Sequence, residues 1–215
     1  MIDTVVFDMD GVIVDSEQVW DDVREQLAAE RGGRWHDGAQ AAMMGMSSPE
    51  WSAYMHDEIG LPESPEEINA EVVQRMLERY RENLPLIDGA VEAVRRLSPE
   101  FRLGIASSSN RPLIEAVLER AGIANVYDAV VSSEEVARGK PAPDVYLEAM
   151  RRLGAEPAST AAIEDSSNGI RAAHAAGMRV IALPNAHYPP APDALVLADA
   201  VIASPDELTP ELVRD

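Results

Sequence analysis

The 215-residue sequence predicts an α/β protein whose mostly parallel sheet is interrupted by an all-helical insertion. Three observations predict it. From residue 101 onward, short β-branched runs alternate with amphipathic helical stretches. One further strand-like run, "TVVFD", stands alone at residues 4–8. Between the two, residues 15–84 carry apolar side chains only at helical spacing.

Strand 4–8 has no neighbour nearby, so it must pair with the later strands. Residues 1–14 and 85–215 therefore form one discontinuous core, and residues 15–84 a helical cap domain inserted into it. Asp15 and Ser16 offer N-caps for a helix bearing Val19, Trp20, Val23 and Leu27, which stops at Gly32 and Gly33. The stretch 34–48 reads as loop or weak helix. Two helices follow, near Pro49 and Pro65, with proline in the first turn where its missing N–H is harmless.

The core then resumes with helix 89–97, strand 101–107, and helix 112–121 ending at Gly122. Strand 127–133, helix 143–154, strand 160–165, helix 168–176 and strand 179–183 come next, with a short last strand near 199–204. Strict alternation demands right-handed crossovers and a Rossmann-like, mostly parallel sheet.

Composition narrows the function. With 46% hydrophobic and 26% charged residues the chain is an ordinary globular one. Cysteine is absent, which excludes disulfides, thiolate catalysis and Cys-ligated zinc. The N-terminus lacks the basic region of a signal peptide, and no apolar run reaches the roughly 18 residues of a membrane helix. A cytoplasmic protein is expected, monomeric or homodimeric. A formal charge of −20 disfavours nucleic acid and anionic membrane surfaces as partners. An anionic substrate would need positive potential made locally.

Ligands of open α/β sheets bind beyond the carboxyl ends of the strands. The residues placed there are Asp8 and Asp10, then Ser107 to Asn110, then Lys140, then Glu164 and Asp165. Lys140 is the sole lysine beside seventeen arginines, and a compact ammonium differs from a guanidinium fork. Acids gathered alone would repel and hold protons. A hard divalent cation such as Mg²⁺ relieves that repulsion. Adding the ammonium, hydroxyls and helix-start N–H groups gives a site suited to phosphate.

The segments "FDMDGVIVD", "IASSSN", "GKPAPD" and "IEDSSNGI" together resemble the four motifs of the haloacid dehalogenase-like superfamily of phosphohydrolases. The helical insertion after the first motif resembles that superfamily's small cap, in the branch of β-phosphoglucomutase-like phosphatases. The resemblance implies that Asp8 is the nucleophile forming an aspartyl-phosphate, and that Asp10 serves as general acid and then base. It implies that Ser107, Ser108 and Lys140 hold the phosphoryl group. Mg²⁺ would be held by Asp8, the Asp10 carbonyl and Asp165, with Glu164 in or beside its shell.

Within the family, Asp10 favours phosphate over halide, and the lack of a second lysine excludes the phosphonate-cleaving branch. Phosphosugar mutases of this kind carry a cap His and Arg, where this chain has Trp20 and, near the second position, Ser48. The expected activity is thus hydrolysis of a small phosphorylated metabolite, a sugar or polyol phosphate. A mutase is the alternative, and a catalytically silent binding protein is the lesser one. Receiver domains share the acids and the "KP" lysine, but have an adjacent acid pair and no use for the insertion.

Specificity is expected from the cap. Trp20, Arg34, Met43, Met44, Met46 and Trp51 are candidates, most of them as cap core, while Gly45, Ser47 and Ser48 are the expected mouth residues. The four histidines show no ligand spacing and read as surface or capping residues.

Overall fold

In the computed structural model, which describes residues 1–185 and 187–215, six strands form one sheet. They are β1 (Thr4–Phe7), β2 (Arg102–Ser107), β3 (Ala129–Ser132), β4 (Thr160–Glu164), β5 (Arg179–Ala182) and β6 (Ala200–Val201). Their spatial order is β3-β2-β1-β4-β5-β6, and every pairing is parallel. The isolated strand of the sequence lies at the centre, with Phe7 opposite Ile105 on one side and Ile163 on the other.

Both sheet faces are covered, which is why the strands read as unbroken apolar runs. Val5, Phe7, Leu103 and Ile105 point into one core and Val6, Ala106, Val131 and Ala162 into the other. Helices α5 (Ala90–Leu97) and α6 (Arg111–Arg120) close the first face. Helices α7 (Asp144–Leu153) and α8 (Ser167–Ala175) close the second.

Between β1 and α5 the chain forms only helices: α1 (Glu17–Arg31), α2 (Ala39–Met43), α3 (Ser48–Asp57) and α4 (Pro65–Glu82). Helix α1 ends at Gly32, whose φ of 77° is the left-handed conformation that glycine adopts without steric cost. Helix α4 starts with a reciprocal cap, in which Ser64 Oγ accepts from Glu67 N–H and the Glu67 carboxylate accepts from Ser64 N–H. The inner faces of α1, α3 and α4 supply Val23, Leu27, Met55, Ile68, Val72 and Met76 to the core shared with the first sheet face. One residue on the buried stripe of α1 breaks its apolar character: Arg24.

Two features depart from the sequence reading. Strand β6 spans only two residues, because Asp199 still lies in a bend and Ala203 and Ser204 already lead into the next helical turn. The helices α9 (Pro192–Leu195) and α10 (Pro210–Arg214) were not foreseen, being too short to show a helical period. Among the described residues, no helix is long and apolar enough to cross a membrane.

Candidate active site

The parallel register brings the ends of β1, β2 and β4 to one edge, and the predicted polar residues converge there. Asp8 follows β1, and its N–H donates to Ile163 O at 2.9 Å, tying it to the end of β4. Asp8 Oδ1 accepts from Met9 N–H at 2.7 Å and lies 3.1 Å from Lys140 Nζ. Its Oδ2 has no hydrogen-bond partner among the described residues.

Lys140 is held at both ends of the cluster. Its ammonium donates to Glu164 Oε1 at 2.6 Å, and the lysine is only 3% exposed. Burial alone would pull its pKa down. The charges of Asp8 and Glu164 outweigh that and raise it, so the ammonium stays charged.

Glu164 Oε1 also accepts from Tyr146 Oη at 2.6 Å, while Oε2 accepts from the N–H groups of Asp165 and Ser166 and from Ser166 Oγ. Both oxygens are therefore engaged. Tyr146, a donor to this carboxylate from α7, could not be picked out from the sequence, because on a helix it reads as core.

Asp10 has partners on each oxygen. Ser16 Oγ donates to Oδ1, with Trp20 Nε1 at 3.4 Å, and Ser109 Oγ donates to Oδ2 at 2.7 Å, with Ser107 Oγ at 3.4 Å. Ser16 sits at the N-cap of α1 but makes no cap bond, its hydroxyl being turned to Asp10 instead. Within the serine run 107–109, Ser109 is the one nearest Asp10. Ser107 Oγ accepts from Ser109 N–H at 3.0 Å, which fixes the turn leaving β2.

Asp8, Glu164 and Asp165 are buried and offer ligand atoms within 4.8 Å of one another. Burial pushes the carboxyls of Asp8 and Asp165 well above the usual range, and neighbouring acids add to it. Three carboxylates facing one ammonium leave uncompensated negative charge in an all-oxygen environment, which fits a hard divalent cation.

Two glycines make room for the acids. A Cβ on Gly11, whose φ is +77°, would lie 1.9 Å from Asp165 Oδ2, and one on Gly169 would lie 1.8 Å from Glu164 Oε1.

Helices of the insertion form the far wall. The cavity over Asp8, Asp10 and Lys140 is lined on that side by Glu17, Trp20, Arg24, Gly45, Trp51 and the methionines at 43, 44 and 46. Gly45 O accepts from Ser108 Oγ at 3.3 Å, joining wall to sheet edge. Ser47 and Ser48 stand outside this lining: Ser47 begins α3, bound to Glu50 Oε2, and Ser48 is buried with its Oγ unpartnered. Arg34 also lies off the lining. Glu17 and Arg24 do line it; the sequence signal for Arg24 was a charge on the stripe of Trp20, Val23 and Leu27.

A parallel α/β core with a carboxylate pair, an ammonium and serines at its carboxyl edge, roofed by helices, defines a hydrolase-type active site of the two-part kind. Comparison with known proteins identifies which. Residues 2–177 match the family model of haloacid dehalogenase-like hydrolases, and the chain belongs to that family as an enzyme. Hexitol phosphatase B of Escherichia coli K12 is 34% identical, over 95% of this chain and 93% of that protein. Fructose-1-phosphate phosphatase YqaB of the same organism is 31% identical over 82% and 94%. The crystal structure of CbbY from Rhodobacter sphaeroides in complex with phosphate superposes with a TM-score of 0.89 at 25% identity, covering all of both chains. The phosphatases among these relatives are, by name, phosphoric monoester hydrolases, the class of this enzyme.

Proposed function

We propose that this enzyme is a Mg²⁺-dependent phosphatase of a small phosphorylated sugar or polyol, acting through an aspartyl-phosphate on Asp8, with residues 15–84 as its cap domain. One observation carries the reading. Lys140, remote in sequence, lies 3.1 Å from Asp8 in a cluster that also holds buried Asp165 and half-buried Asp10. The relatives' names, a hexitol phosphatase and a fructose-1-phosphate phosphatase, favour a polyhydroxylated substrate.

Asp8 Oδ2, unpartnered, attacks phosphorus while the ester P–O bond breaks. Asp10 gives its proton to the departing alcohol oxygen. In the second half Asp10 takes a proton from water as that water attacks phosphorus, the Asp8–P bond breaks, and inorganic phosphate leaves. Lys140, with Ser107 and Ser108 at the end of β2, binds the phosphoryl oxygens, and Glu164 positions Lys140. Asp8, Asp165 and the Asp10 carbonyl would hold Mg²⁺, which would supply charge neutralisation for the phosphoryl oxygens. Glu164, with both oxygens committed elsewhere, belongs beside the metal rather than on it.

A mutase has less support. At the two positions where the resemblance implies a His and an Arg stand Trp20, donating to Asp10, and Ser48, away from the cavity. The test is phosphate release from a panel of hexose and hexitol phosphates with and without Mg²⁺. Wild type is expected to release phosphate only with the metal, and Asp8→Asn to lose at least about 10³-fold in rate. No release by wild type from any ester would refute the reading.

A further inference from the structure

The far wall holds a residue for which the chemistry at the sheet edge has no use. Arg24 is only 4% exposed and has no carboxylate within ion-pair distance among the described residues. Its Cζ lies 4.4 Å from the ring centre of Trp20 and 4.7 Å from that of Trp51, two rings inclined at 60°. The guanidinium is thus wedged between aromatic faces. Nη1 donates to Gln40 Oε1 at 3.2 Å, and Nε is buried without any partner among the described residues.

Burying a cation with an unmet donor is costly unless something completes it. Here the burial lowers even the arginine pKa, to about 10, despite the acids Glu17 and Asp10 nearby. Arg24 lines the same cavity as Asp8 and Asp10, so a molecule bound there meets this side chain.

We infer that Arg24 is a specificity-determining residue that binds a hydroxyl of the substrate's carbon chain, on the side away from the phosphate. This rests on the phosphatase reading and deepens it. A hydroxyl fits better than a second anionic group because the wall is mixed in polarity. Gln40 Nε2 donates to Glu17 Oε2 at 2.8 Å, so donor and acceptor alternate through Arg24, Gln40 and Glu17. A second phosphate or carboxylate would meet Glu17 and Asp10 as well as Arg24. A polyol instead offers both donors and acceptors, and its C–H edges match the indole faces of Trp20 and Trp51.

The test compares kcat/KM for a hexitol phosphate with kcat/KM for phenyl phosphate, an ester lacking hydroxyls, in wild type and in Arg24→Gln and Arg24→Lys. The expected result is that the hexitol-to-phenyl ratio falls about 10- to 100-fold in Arg24→Gln, mostly through KM. Arg24→Lys, retaining charge and a donor, is expected to recover part of that ratio. Thermal melting of each variant separates misfolding from altered recognition, since a loss of folded enzyme lowers both esters together and leaves the ratio intact.

A ratio unchanged within about threefold would overturn the proposal. So would a defect confined to bisphosphates or phosphorylated acids, which would make Arg24 an anion grip. If wild type cleaves neither ester, the phosphatase reading itself fails, a result distinct from an unchanged ratio.

Discussion

The two walls of the active-site cavity are built on opposite rules. At the sheet edge most polar atoms are spoken for, Asp8 Oδ2, the Asp165 carboxylate and Asn110 Oδ1 excepted among the described residues: Lys140 bridges two carboxylates, Glu164 is engaged on both oxygens, and Asp10 has partners on each of its own. Across the cavity, on the helices, Arg24 Nε and, away from the cavity in the same segment, Ser48 Oγ are buried without partners among the described residues. The difference shows where rigidity is required. A phosphoryl group presents the same oxygens whatever its ester, so its site can be finished in advance. The body of the substrate varies, and on the proposal made above the helical wall keeps an unmet donor on Arg24 for it to fill.

The sharpest way to break this contrast is Lys140→Met. It removes the only ammonium from a buried cluster of acids, so kcat/KM for any phosphate ester is expected to fall about 10³-fold or more. Stability is expected to drop by about 3 kcal/mol in the metal-free protein, read by chemical denaturation. A minor effect on both would mean that the sheet edge is not the over-determined wall it looks to be.

Next comes Gly11→Ala. The new methyl would occupy Asp165's own space at a positive φ, so a loss of about 2–4 kcal/mol is expected together with strongly reduced activity. Unfolding midpoints and phosphate release measure the two parts.

Glu17 sharpens the other side. Burial, with Asp10 nearby, raises its carboxyl from 4.5 to about 7. A raised acid binds its proton more tightly folded than unfolded, so its contribution is present in full below about pH 4.5 and is lost as pH climbs to about 7. Over that window Glu17→Gln is expected to remove about 2 kcal/mol of the decline in metal-free stability. Identical stability–pH slopes for wild type and variant would mean that the helical wall carries no such strain.

The smallest effect is expected for Ser47→Ala. Ser47 serves as the start of α3, so about 1 kcal/mol of stability is expected to go while the preference among substrates stays put. A change of preference instead would restore Ser47 to the mouth of the cavity.

What was legible in the sequence divides along the same line. The strands, their parallel direction and the residues at their ends follow from period, turns and strand-end logic, though not their spatial order, and Asp8, Asp10, Ser107, Lys140, Glu164 and Asp165 do converge. The wall on the helices was legible only as a set of large side chains. Trp20 and Gly45 fall on it, but Ser47 and Ser48 do not, because a Ser-Ser-Pro-Glu run signals a helix start and a mouth equally well. Arg24 and Glu17 were hidden because helical spacing says which side of α1 is covered, and not whether what covers it is packed core or a cavity. Ser16 shows the same limit, since a cap signal and an active-site donor look alike until the loop is folded.

The central place of β1 has a temporal consequence. Its two neighbours are drawn from residues 102–107 and 160–164, so the middle of the sheet cannot close until residues 160–164 have left the ribosome. The helices of residues 17–82 emerge long before that, beside a lone strand still seeking its companions. Asp8, proposed above as the nucleophile, is thus made well before the strand that completes its setting, and a chain that ends short of residue 164 holds no assembled site.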